Sequence, residues 1–194
     1  MPSIAASQRA TPPSAAALGG LYPPFRFSYV EENLTRGAYP KPRNFRFLRR
    51  LGLQTILSLT PKPPNDALQA FCAEHGIRSI HLPVVKAKET IPFTYSKCAQ
   101  IVSVLIDAAH LPMYVHCLDG LVVTGVVMMC LRKLQHWSPT TAFSEYMRAG
   151  PDAPDVGAPE FAEKFPGEIV IPPCIPAWLW GGQMPTKRHP TLKL

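Results

Sequence analysis

Missing from this sequence is any cysteine pair of the C-x-x-C kind. Its five cysteines, Cys72, Cys98, Cys117, Cys130 and Cys174, are widely spaced and odd in number. Neither a disulfide framework nor a zinc site follows from that spacing, so no metal is expected, and a reducing, cytoplasmic setting is. Also missing is an apolar run of the roughly 20 residues that span a bilayer. The run from Leu121 to Leu131 is interrupted by Thr124 and closed by Arg132 and Lys133, so no membrane attachment is expected. Residues 1–21 have no hydrophobic stretch behind a basic start, and their Ala, Ser, Pro and Gly bury too little surface to offset ordering entropy. They are expected to form a flexible tail rather than a signal. Acids are scarce as well: 13 stand against 20 basic residues, for a net charge of +7. None falls among Arg36, Lys41, Arg43, Arg46, Arg49 and Arg50. That run admits an acidic ligand, although a solvated helix face is the plainer account. A dense basic stripe with exposed aromatics is absent, which argues against nucleic acid as a partner.

What is present suits one domain with a genuine core: 194 residues, 46% of them hydrophobic. In RNFRFLRRL (43–51) Phe45, Leu48 and Leu51 lie three apart between arginines, the spacing of an amphipathic helix that Gly52 stops. QTILSL then reads as a buried strand. Asn65 or Asp66 can cap the helix DALQAFCAEHG, and strand IRSIHLPV follows its Gly76. After the polar loop VKAKETIP, Tyr95, Cys98, Ile101, Val102, Leu105 and Ile106 recur at helical spacing. MYVHC is a further strand. LVVTGVVMMCLRKLQHW is apolar on nearly every side until Arg132, so it is expected as a helix through the centre of the domain. Ser138 and Pro139 open the helix SPTTAFSEYMRAG. Beyond residue 150 the chain is Pro-rich, with one short helix around Glu160 to Phe165. Trp178 and Trp180 are expected to cover the domain's own surface. Strands alternating with helices predict an α/β architecture of three layers, a mostly parallel sheet flanked by helices.

Residues 113–125, MYVHCLDGLVVTG, form a strand, a tight glycine-containing loop and a helix start. In such sheets ligands bind beyond the carboxyl ends of the strands. Backbone N–H groups of the loop should converge there with a helix dipole behind them, making an anion cradle that favours the thiolate of a cysteine placed in it.

The stretch resembles the H-C-x-x-G-x-x-R-[ST]-G signature of cysteine-based tyrosine and dual-specificity phosphatases, with His116, Cys117, Gly120, Thr124 and Gly125 in register. PPFRF, RGAYPKPRNFRFLRRLGLQTILSL and CLRKLQHWSPTTAFSEY extend the likeness over roughly residues 22–166. They are similar to the plant and fungal atypical dual-specificity phosphatases, a family that includes inositol pyrophosphate phosphatases and fungal proteins linked to oxidant-induced cell-cycle arrest. The resemblance implies the cysteine-phosphatase fold over 22–166, a Pro-rich extension over 167–194, no cofactor, and Cys117 at the nucleophile position. The departures are Leu118, Leu121 and Val123 where the family carries basic groups, with Asp119 adding a negative charge inside the loop and Val122 beside Val123. An Arg fork gives phosphate bidentate, charge-assisted hydrogen bonds that a valine cannot. Glu89 is the candidate proton donor on the loop VVKAKETIPF, and Lys86, Lys88 or Arg132 are the candidate phosphate-binding cations. His116 is expected to orient the loop by hydrogen bonding. The expectation is a catalytically impaired phosphatase-like protein that binds a protein partner, such as an active phosphatase of the same family. The alternatives are an active phosphatase on phosphotyrosine or inositol pyrophosphate through a Cys117 phospho-cysteine, and a basic anion-binding module using residues 36–50.

Overall fold

The computed structural model describes residues 20–150, 154 and 156–183. The expected tail up to residue 19 and the extension from 184 onward lie outside them. Five strands form one sheet in the order β1-β2-β5-β3-β4. Strand β1 (Ser28–Glu31) pairs antiparallel with β2 (Leu34–Ala38), and all other pairings, through β5 (Met113–Cys117), β3 (Thr55–Ser58) and β4 (Arg78–His81), are parallel. The mostly parallel α/β sheet is therefore as expected. The β1-β2 hairpin is additional to it. Its sequence, SYVEENLTRGA, has neither a continuous apolar run nor strict alternation, and the turn rests on Asn33 at φ 63°.

Period-two alternation in β5 divides the core. Met113, Val115 and Cys117 face one cluster, together with the helices α3 (Tyr95–Leu105) and α4 (Val122–Leu134). Tyr114 faces the other, with Leu48 from α1 (Pro42–Arg49) and Leu68 and Phe71 from α2 (Asp66–Glu74). Three layers result. Every residue of α4 except Lys133 is buried, because the sheet covers it on one side and α3, α5 (Pro139–Ala149) and α6 (Ala158–Lys164) on the others. Asn65 rather than Asp66 caps α2, accepting the Leu68 N–H at 3.1 Å. Ser138 caps α5, accepting the Thr141 N–H at 3.2 Å.

Residues 167–183 lie on the same core. Ile169, Ile175 and Leu179 are buried in it, and the indole N–H groups of Trp178 and Trp180 donate to Glu32 O and Leu134 O. No helix among the described residues is long and apolar enough to cross a membrane.

Two charged residues need correction. Arg36 does not belong to a basic surface: it is 3% exposed, carried into the interior by β2. Lys41, Arg43, Arg46, Arg49 and Arg50 do remain exposed, around and along α1. Arg132 is not near a phosphate cradle either. It is buried toward the end of α4, donating to Glu145 Oε1 and Oε2 at 2.7 Å each, to Val30 O at 2.9 Å, to Gln135 and to Glu31, with its guanidinium 4.1 Å from the Trp137 ring centroid.

Candidate active site

The central strand β5 ends at Cys117, between the carboxyl ends of β2 and β3, so the following loop opens at the edge where parallel sheets bind ligands. His116 holds this strand end from inside. It is fully buried, its Nε2 lies 2.8 Å from Ser58 Oγ and its Nδ1 3.2 Å from Cys117 O. Burial pushes its pKa down to about 4, with the hydrogen bond to Cys117 O acting in the opposite sense. The imidazole is neutral near pH 7, which suits an orienting group.

The loop is pressed against β2 at Gly120, where φ is +73° and a Cβ would lie 2.6 Å from both Ala38 N and Gly37 C. Three of its carbonyls are held from the β2 side. Leu118 O accepts the Tyr39 N–H at 3.3 Å, Asp119 O accepts from Arg26 at 3.0 Å, and Gly120 O accepts from Arg36 at 2.8 Å. Arg36 also donates to Thr124 Oγ1 at 3.3 Å.

Side chains of the loop itself use its inward donors. Cys117 Sγ accepts the Gly120 N–H at 3.2 Å and lies 3.6 Å from Thr124 Oγ1. Asp119 Oδ1 accepts the Leu121 N–H at 3.0 Å and the Cys117 thiol at 3.4 Å. A carboxylate thus takes an amide that an incoming anion would need, and its charge repels that anion.

Above Cys117 is a cavity of about 170 Å³ whose walls include Leu59, Val84, Val122 and Val123. Val123 is 5% exposed and packs into the core. Leu121 and Val122 are buried too, whereas Leu118 is 43% exposed at the mouth. Gly125 lies inside α4, where a Cβ would meet the Tyr146 ring at 2.6 Å. Lys86 also lines the cavity. Lys88 and Glu89 are exposed on the same loop and do not line it. Among the described residues no group of three or more His, Cys, Asp or Glu could hold a metal. The parts missed in the sequence are Arg26, Arg36 and Ser58, which hold the loop and its strand from behind. The one available signal for Arg36 was its place in the short stretch LTRGA, between Leu34 and Ala38.

A cysteine at a strand end, a positive-φ glycine and an apolar helix start are arranged as in a cysteine-phosphatase loop. The sequence profile described as "Tyrosine phosphatase family" matches residues 21–184. The chain belongs to the tyrosine phosphatase family. Among its relatives, the Saccharomyces cerevisiae protein named "Putative tyrosine-protein phosphatase OCA6" is 36% identical over 166 residues, covering 78% of this chain and 74% of its own. The protein named "Inositol diphosphatase DSP1" of Oryza sativa subsp. japonica is 34% identical over 151 residues, covering 77% and 68%. The crystal structure of the core catalytic domain of the PP-IP phosphatase SIW14 from S. cerevisiae, in complex with citrate, superposes with a TM-score of 0.69 at 31% identity, covering 75% of this chain and 88% of that one. This family member therefore has the cysteine-phosphatase fold, and relatives of it carry phosphatase names.

Proposed function

We propose that this chain is a catalytically impaired member of its family, acting by binding a protein partner at the mouth of the altered loop. The observation carrying the reading is the loop's own occupancy: Asp119 accepts the Leu121 N–H, Cys117 Sγ takes the Gly120 N–H, and Val123 is packed at the clamp position. In other phosphoryl-transfer enzymes an arginine supplying such a clamp is worth about 10³ to 10⁵ in rate. A valine supplies neither the hydrogen bonds nor the charge. Exposed Leu118, beside Tyr39, Pro61 and Lys62 around a neighbouring groove of about 450 Å³, suits contact with protein better than with phosphate. An active phosphatase of the same family is the partner proposed.

The decisive experiment restores the charge. Val123→Arg with Asp119→Ala, checked for native circular dichroism, should release phosphate from a small aryl phosphate or an inositol pyrophosphate. The unmodified chain should not. Cys117-dependent hydrolysis by the unmodified chain would overturn the proposal. The second reading is an active phosphatase on phosphotyrosine or inositol pyrophosphate through a Cys117 phospho-cysteine. It is favoured by the hydrogen-bond donors that still surround Sγ and by Lys86 lining the same cavity. Equal rates for the unmodified chain and Cys117→Ser would sink it.

A further inference from the structure

A second cavity, of about 270 Å³, shares no lining residue with the one above Cys117. Three arginines line it: Arg26 ahead of β1, Arg36 in β2 and Arg148 in the last turn of α5. Glu145 is its single acid, and both oxygens of that carboxylate accept from Arg132. Arg132 also bridges Glu31, so part of the Glu145 charge is left to face the three arginines, which still outnumber it.

Arg36 is in an unusual position for a cation. Burial lowers its pKa, opposed chiefly by the nearby Cys117 and Glu145. Its hydrogen bonds go to neutral acceptors, Gly120 O and Thr124 Oγ1, and its Nε–H is buried with no acceptor. Buried charges are ordinarily paired and buried donors ordinarily satisfied. Arg26 is only partly used, through Nε to Ala149 O at 3.0 Å and one amino group to Asp119 O, while a guanidinium carries five N–H donors. The cavity holds several times the roughly 30 Å³ of a water molecule, and guanidinium forks match the oxygens of a tetrahedral oxyanion.

We propose that this cavity is a binding site for a phosphate dianion, inorganic or the terminal group of a monoester, on the inner side of the loop. Because Arg26 and Arg36 hold the carbonyls of Asp119 and Gly120, an anion there restrains the loop that carries Cys117. The site does not depend on whether the loop is catalytic.

The test is titration of the full chain with inorganic phosphate and, separately, phenyl phosphate, followed by amide NMR and calorimetry. Saturable binding should shift the amides of Ser28, Gly37 and Ala149. Arg148→Gln, at an exposed position, and Arg26→Gln should each weaken it at least tenfold, and Cys117→Ser and Lys86→Gln should leave it unchanged. A response to inorganic phosphate alone would identify the free ion as the ligand; a response to both admits monoesters. Absence of saturable binding overturns the proposal. So does binding that survives Arg148→Gln but is lost in Lys86→Gln, since that assigns the anion to the cavity above Cys117.

Discussion

Replacing Gly120 by alanine separates what the loop needs for chemistry from what it needs for folding. At φ +73° a Cβ costs about 1 to 2 kcal/mol by itself. That Cβ would also lie 2.6 Å from Ala38 N and from Gly37 C. These are backbone atoms of β2, which is paired with β5 at Gly37 with His116 and Ala38 with Cys117, so no rotamer change relieves the overlap. Overpacking of this kind adds about 1 to 3 kcal/mol. The expected total is roughly 2 to 5 kcal/mol, a large part of the stability of a domain this size. Gly52→Ala is the control: its φ is +60° with nothing within 4 Å of the added Cβ, so only the first cost, about 1 to 2 kcal/mol, should appear. Urea unfolding of both variants, compared at unchanged m, measures the difference. If Gly120→Ala costs no more than Gly52→Ala, the close approach of loop and strand is not what the glycine serves. The expected result would explain a glycine at this position by packing alone, whatever the loop's chemistry.

His116, with its pKa pushed from 6.5 to about 4 by burial, binds fewer protons folded than unfolded between those values. Its share of stability is therefore intact above pH 6.5 and lost as pH falls toward 4, roughly 3 kcal/mol at 1.36 kcal/mol per pH unit. His116→Asn should flatten that part of the stability profile, and an unchanged slope would contradict the assignment. Arg132→Met should cost about 2 to 4 kcal/mol in urea unfolding, because it strips Glu31 and Glu145 of their cation. A loss below about 1 kcal/mol would mean that both carboxylates simply rehydrate.

Much of the fold was legible because its signals are local. The all-round apolar stretch after Gly120 became the buried α4, Asn65 and Ser138 became caps, and Gly52 and Gly76 took the positive φ that ends a helix. The β1-β2 hairpin was not legible, since LTRGA gains its burial from its place between β1 and β5 rather than from its own apolarity. For the same reason Arg36 was counted with the surface arginines.

The site divides similarly. Sequence by itself determined that a cysteine and two glycines stand in a phosphatase-like loop with Val123 at the clamp position, because residue identity and spacing along one short segment are sufficient for that. Only the tertiary structure decided where charge goes. Arg132 turns to Glu31 and Glu145, Lys86 reaches the cavity while Lys88 and Glu89 do not, Asp119 folds back onto the loop's amide, and Arg36 comes up behind it. A charge's partner is whatever the fold brings within about 4 Å, and those partners come from strands and helices as much as a hundred residues apart in the chain.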